Sequence, residues 1–123
     1  MKIDTLEIAQ SEGRAPWDDA VLITKEFVVY RDHYPVTAGH LLFVPRIASE
    51  KNLIACFKMA NEMGVQNIEA DNDVTGFNVG MNVGASAGQT CMYPHVHLIY
   101  RRHGDCADPT GGVRNVIPGM GNY

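Results

Sequence analysis

His95 and His97 stand two residues apart in the segment Tyr93-Pro94-His95-Val96-His97-Leu98-Ile99-Tyr100, interleaved with apolar Val96 and Leu98. Alternate residues of an extended chain face the same side. A strand here therefore presents both imidazoles on one surface, about 6–7 Å apart, and turns Val96 and Leu98 to the other. A neutral imidazole whose far nitrogen is held as N–H keeps a lone pair with which to attack phosphorus, splitting a displacement into two steps through a phosphoramidate. A second imidazole can then donate to a phosphate oxygen or to the leaving group. Taken alone, the pair has two other readings: surface or hydrogen-bonded structural histidines, or metal ligands.

The segment just before it is Asn82-Val83-Gly84-Ala85-Ser86-Ala87-Gly88-Gln89-Thr90. Its glycines let backbone N–H groups approach an anion, and Gln89 and Thr90 add side-chain donors. Such a loop by itself is a turn. Placed directly before an H-x-H strand, it becomes a candidate phosphate cradle.

These residues need elements to position them. The pattern predicts a short helix within residues 1–13, a break at 15–19, and a hairpin of strands 21–23 and 27–30 around Lys25-Glu26. A loop punctuated by Pro35 and Gly39 leads to a third strand at 41–44, stopped by Pro45. A long helix is expected over about 50–70, with Leu53, Ile54, Phe57, Ala60, Gly64 and Ile68 facing the sheet and Met59 and Met63 packing with Phe57. Strands at 77–83 and 93–100 follow, then an irregular tail over about 103–123. The sum is one α+β domain, 1–123, with an antiparallel five-stranded sheet and one long helix.

The loop and strand together resemble the histidine-triad (HIT) family, whose pattern is Asn-x-Gly-x-x-x-Gly-Gln-Ser/Thr followed by His-φ-His-φ-His-φ-φ. The correspondence runs without a gap from Asn82 to Ile99. It gives His95 the place of the family's nucleophile and His97 that of the third histidine, while Tyr93 occupies the first. The stretch Asp32-His33-Tyr34-Pro35-Val36-Thr37-Ala38-Gly39-His40 is also similar, which implies Asp32 on the ribose hydroxyls and His40 as a further active-site histidine. With a tail similar to a bacterial branch, the resemblance extends from about Val21 to about Pro118.

The resemblance implies a HIT-like fold, with sheets joined across a homodimer. It implies a nucleotide hydrolase or transferase acting at the α-phosphate through a nucleotidyl-histidine, on dinucleoside polyphosphates or adenosine phosphoramidates. Asn82, Gln89, Thr90 and Tyr93 join Asp32 in binding substrate, His95, His97 and His40 do the chemistry, and neither cofactor nor metal is required. Tyr93 departs from the family pattern. Its carbonyl can still fix the nucleophile's tautomer, while its side chain would alter rate or leaving-group preference. Pro94 lacks an N–H, which implies a bulge or unpaired stretch beside the chemistry.

That departure keeps a second class of function in view: a catalytically weak nucleotide sensor or interaction protein. A third is a metal protein using His40, His95 and His97. Cys56, Cys91 and Cys106 form no C-x-x-C pair, which weighs against it.

Composition sets the bounds. The chain has 123 residues, a formal net charge of -4 and a pI near 5.6. That balance argues against nucleic-acid or anionic-membrane partners. No run approaches the ~20 apolar residues of a bilayer span. The acidic start MKIDTLEIAQ is unlike a signal peptide, and scattered cysteines fit reduced thiols in a cytoplasmic protein. His33, His103, Arg101 and Arg102 read as solvated, and Cys91 as a packing residue.

Overall fold

The computed structural model describes residues 3–70 and 73–122. The elements in order are α1 (Leu6–Ser11), β1 (Ala20–Ile23), β2 (Phe27–Arg31), β3 (Leu41–Pro45), α2 (Glu50–Ala70), β4 (Gly76–Gly80) and β5 (Val96–Arg101). All strand pairs are antiparallel and the sheet order is β1-β2-β3-β5-β4. An α+β domain with one long helix is what the sequence predicts. The expected helix within 1–13 is α1, although its first two residues lie outside those described.

Phe27-Val28-Val29-Tyr30 and Leu41-Leu42-Phe43-Val44 are unbroken apolar runs because both faces of β2 and β3 are covered. On one face Phe27, Val29, Leu41, Phe43, Val96 and Leu98 pack under α2. On the other, Val28, Tyr30, Leu42, Val44 and Tyr93 pack with Leu6 and Ala9 of α1, and Trp17 closes the edge of this cluster. Thr5 caps α1 by accepting from the Ile8 N–H at 3.2 Å. Arg14 then ties the α1 segment down, pairing with Asp4 at 2.9 Å and donating to the Met92 carbonyl at 2.8 Å.

Three expectations are corrected. The fifth strand begins at Val96 rather than Tyr93, because Pro94 has no N–H for the ladder. The fourth ends at Gly80 rather than 83. The helix turns only part of its expected face to the sheet: Leu53, Ala60 and Gly64 lie there as expected, and Ile54, Phe57 and Ile68 do not. Asn52, Cys56, Ala60 and Gly64 are buried, whereas Ile54, Phe57 and Ile68 are exposed. Small side chains at every fourth position let α2 lie close to the strands. At Gly64 an added Cβ would come within 2.7 Å of the Phe77 ring. Met59 and Met63 do pack against the core as expected; Phe57 does not.

Candidate active site

The site forms where β5, the start of β3 and the loop after β2 meet. In the register, His97 pairs with Leu42 on one side and Gly80 on the other. Asp32 donates its backbone N–H to the His40 carbonyl at 3.1 Å. Directly paired residues share a face, so Asp32, His40 and His97 lie on the side of the sheet away from α2. His95 immediately precedes β5. Its ring centroid is 5.2 Å from that of His97, and His97's is 5.1 Å from that of His40.

Hydrogen bonds set the tautomer of every ring. The Tyr93 carbonyl can only accept, and it lies 2.8 Å from His95 Nδ1. His95 therefore carries its proton on Nδ1 and keeps a lone pair on Nε2. The Val36 N–H donates to His40 Nδ1 at 3.1 Å, which puts the His40 proton on Nε2. That nitrogen faces His97 Nδ1 at 2.9 Å, so His97 accepts there and carries its own proton on Nε2. One backbone N–H and one backbone carbonyl thus yield a nucleophilic nitrogen on His95 and a donor on its neighbour.

Burial favours the neutral rings that this scheme needs. It pushes His95 and His40 below their ordinary range, against the opposing pull of the Tyr93 hydrogen bond on His95 and of the Asp32 charge on both. His97 is pushed down to about 4, first by burial and then by the His95 and His40 charges. Stability should respond. Between about 4 and the ordinary 6.5 the unfolded chain binds a proton that folded His97 refuses. Its contribution is complete above 6.5 and is lost as pH falls towards 4, amounting to about 3 kcal/mol. Urea midpoints should therefore drop between pH 7 and 4.5, and His97→Asn should flatten the slope. An equally steep slope in that variant would place the acid sensitivity elsewhere.

Asp32 Oδ2 lies 3.5 Å from His40 Nε2, while Oδ1 accepts from the Tyr34 N–H at 2.8 Å. Asp32, His40 and His97 also offer ligand atoms within 4.8 Å of one another, a spacing a metal ion could bridge. The His40 tautomer opposes this. Its Nε2 carries the proton as long as Val36 donates to Nδ1, so the ring has no lone pair to offer a metal there.

The loop Gly84–Thr90 is a single 3-10 turn over Ala85–Ala87. Its two ends are Gly84 and Gly88, with φ of 90° and 93°, where a side chain is disfavoured. Gln89 closes the loop, accepting from the Gly84 N–H at 2.9 Å and donating to the Cys91 carbonyl at 3.1 Å. Its amide oxygen and one amide N–H therefore shape the cradle. Asn82 and His97 line an open cleft of about 690 Å³.

Tyr93 meets the expectation for its carbonyl, which holds His95 Nδ1, and departs from the one for its side chain. Its side chain is fully buried among the α1-side core, and its hydroxyl donates to the Pro45 carbonyl at 2.6 Å. What faces the chemistry is its carbonyl. One site residue escapes sequence reasoning altogether: Trp17, whose ring lies 4.7 Å from that of His95. It sits in a stretch that reads only as a break, and its single signal is being the chain's sole tryptophan. His33 is half-exposed and pairs with Asp18 at 2.7 Å. Arg101 and Arg102, expected to be solvated, are tied down by Asp105 at 2.7 Å and Asp73 at 2.8 Å.

The sequence profile of the HIT domain matches residues 16–104. An AP-4-A phosphorylase from Mycobacterium tuberculosis is 33% identical over 112 residues, covering 82% of this chain and 57% of that protein. A nitrilase and fragile histidine triad fusion protein from Caenorhabditis elegans is 30% identical over 100 residues, covering 76% of this chain and 22% of the fusion. The chain belongs to the histidine-triad family. It spans little more than half the length of the mycobacterial relative. The fold is shared with a zinc-bound histidine triad family protein from Mycobacterium smegmatis, at a TM-score of 0.67 and 21% identity over 83% of this chain and 78% of that one. It is shared too with a hypothetical histidine triad nucleotide-binding protein from Sulfolobus tokodaii, at 0.63 and 28%, covering 83% and 72%. Among the described residues no helix is long and apolar enough to cross a membrane.

Proposed function

We propose that the protein cleaves nucleotide conjugates at the α-phosphorus through a nucleotidyl-histidine on His95, acting on dinucleoside polyphosphates or adenosine phosphoramidates. The observation that carries this reading is the Tyr93 carbonyl on His95 Nδ1, which leaves Nε2 as the nucleophile. In the first step a bond forms between Nε2 and phosphorus as the bond from phosphorus to the departing oxygen or nitrogen breaks. The departing atom takes up a proton, with the His97 Nε2–H as the nearby donor. In the second step water attacks phosphorus, the P–N bond breaks, the nucleoside monophosphate leaves with the hydroxyl of that water, and the water's other proton restores the His97 Nε2–H. Asp32 is assigned to the ribose, and Asn82, Gln89, Thr90 and the backbone N–H groups of the loop between Asn82 and Thr90 to the phosphate. No cofactor or metal enters this scheme.

The test is a rapid alkaline quench during turnover, which spares the acid-labile P–N bond. Mass analysis should then find adenylate on the peptide that contains His95. Nucleotide binding with neither adduct nor nucleoside monophosphate would replace the enzyme with a sensor. The name of the mycobacterial relative favours a second acceptor, inorganic phosphate, in place of water. Adding phosphate would then shift the adenosine product from AMP to ADP.

We also assign the chain to a homodimer. Ile54, Phe57, Val65 and Ile68 form an exposed apolar stripe at 58%, 40%, 43% and 39% exposure along α2, beside the edge strand β4. A second copy would cover both. Light scattering should give twice the chain mass for the native protein and the single mass for Phe57→Glu with Val65→Glu. Equal masses for the two would remove the assignment.

A further inference from the structure

We propose that Thr37 is a positioning residue that fixes which way the His40–His97 pair points its protons. It acts through the backbone of the loop between β2 and β3. This rests on the reading above, in which the His97 Nε2–H assists the departing atom.

The choice of proton direction is the first argument. His40 Nε2 and His97 Nδ1 share one hydrogen bond of 2.9 Å, which can be made in two ways. Either His40 donates and His97 keeps its own proton on Nε2, or His97 donates from Nδ1 and its Nε2 is left bare. Each ring carries one proton in both arrangements, but only the first offers an N–H to the departing atom. The Val36 N–H decides between them. It lies 3.1 Å from His40 Nδ1, and in the second arrangement it would face another N–H. Asp32 Oδ2, at 3.5 Å from His40 Nε2, pulls the same way from a longer distance.

The hold on the loop is the second. Val36 is 70% exposed, so packing of its side chain does little to aim its N–H. The loop is fastened instead to Tyr100 on β5. The Thr37 hydroxyl donates to the Tyr100 carbonyl at 2.6 Å. That bond lies beyond Leu41 and Leu98, the last backbone pair of β3 with β5. Gly39 lays the loop against the Tyr100 ring, where an added Cβ would come within 3.1 Å. The Tyr100 hydroxyl in turn accepts from the Asn67 amide of α2 at 3.0 Å.

The place of Thr37 in the chain is the third. It follows Val36 directly, and its own carbonyl accepts from the His40 N–H at 3.2 Å. One residue therefore ties both the deciding N–H and the ring it faces to β5. Arg102 supports the far side of the loop by donating to the Ala38 carbonyl at 3.1 Å, a bond that touches neither Val36 nor His40.

The test separates proton assistance from binding and from stability. Adenylation of His95 is timed in single turnovers of the full chain with two substrates that share one adenylate half. In adenosine 5′-phosphoramidate the departing nitrogen must gain a proton, whereas the phenolate of the p-nitrophenyl ester of AMP leaves without one. Thr37→Val should slow adenylation by the phosphoramidate about tenfold and by the ester less than about twofold, with the half-saturating concentrations of both unchanged. Thr37→Ser, which keeps the hydroxyl, should restore the native rate. Nitrogen-15 spectra of the histidine rings in the substrate-free chain, taken above neutral pH, need no turnover. They should show His97 Nε2 protonated in the native protein and in Thr37→Ser, and partly bare in Thr37→Val. Equal slowing with both substrates, slowing with neither, or unchanged spectra in Thr37→Val would overturn the positioning role and leave the nucleotidyl-histidine reading standing. No adenylation of the native chain would overturn that reading, while the spectra would still decide whether Thr37 directs the protons.

Discussion

His95→Gly should lose AMP release from diadenosine tetraphosphate and from adenosine phosphoramidate by a factor on the order of 10⁴ or more, as removal of a covalent nucleophile does elsewhere. The tautomers explain why no neighbour can replace it. His40 has one ring nitrogen occupied by the Val36 N–H and carries its proton on the other. His97 accepts from His40 through Nδ1 and carries its proton on Nε2. His95 Nε2 is therefore the one lone pair of the three rings that faces the reaction. Nucleotide affinity should change by only a few-fold, since Asp32 and Asn82 remain. Added imidazole should restore part of the rate in the vacated space, because an external ring can supply the missing nitrogen. His97→Asn should cost less, on the order of 10²-fold, as expected for a donor that assists but forms no bond. A His95→Gly rate within tenfold of the native one would end the assignment of the nucleophile.

Tyr93 should show the largest effect on stability. Its side chain is fully buried and its hydroxyl donates to the Pro45 carbonyl at 2.6 Å. Tyr93→Ala should cost about 3–5 kcal/mol, combining a lost aromatic, a cavity and an unpaired carbonyl. Tyr93→Phe keeps the ring and should cost about 1–2 kcal/mol. The catalytic expectation runs the other way. Because the residue contributes its carbonyl to His95 and its ring to the core, Tyr93→Phe should leave kcat/KM within about twofold. Urea titrations with AMP-release kinetics on the same samples separate the two effects. A tenfold change in kcat without a matching loss of stability would show that the phenol side acts on the chemistry.

Much of this was legible in the sequence. The two continuous apolar runs of β2 and β3 could be read because strands buried on both faces lose their alternation. The H-x-H spacing placed two rings on one surface because strand geometry is rigid. The helix is legible as a whole and its inner face in part, since Leu53, Ala60 and Gly64 do meet the sheet. Its sequence carries two neighbouring apolar stripes, one of small residues and one with Ile54, Phe57 and Ile68, and helical periodicity alone does not separate them. Which stripe meets the sheet depends on how near Phe77 comes to Gly64, a contact thirteen residues away along the chain. The loop-closing bonds of Gln89 are not legible in the sequence, because a side-chain amide looks the same whether it faces an anion or its own loop. Trp17 followed no periodic pattern. Its place against His95 depends on a turn made after α1 and held by Arg14 on the Met92 carbonyl.

The tail was read as irregular, and in regular secondary structure it is nearly so, with one short 3-10 turn over Gly112–Val116. Its order comes instead from a close crossing. Gly111 has φ of 83°, and a Cβ placed there would collide with the backbone of Gly121, while one at Gly121 would meet Thr110. Such long-range contacts leave only glycines as a trace, and glycines have many causes.

The layering of the sheet has a consequence for amide hydrogen exchange. β3 lies at its centre, covered on both faces and hydrogen-bonded to β2 and β5 on its two sides. Its amides should therefore exchange at or near the rate of global unfolding, while those of the exposed Gly84–Gly88 turn should exchange through local opening. The residues assigned to the reaction straddle that boundary. His40 leads into the slowest-exchanging strand, and the phosphate loop belongs to the fast class. Bound nucleotide should thus slow exchange in the loop long before it alters anything measurable at β3.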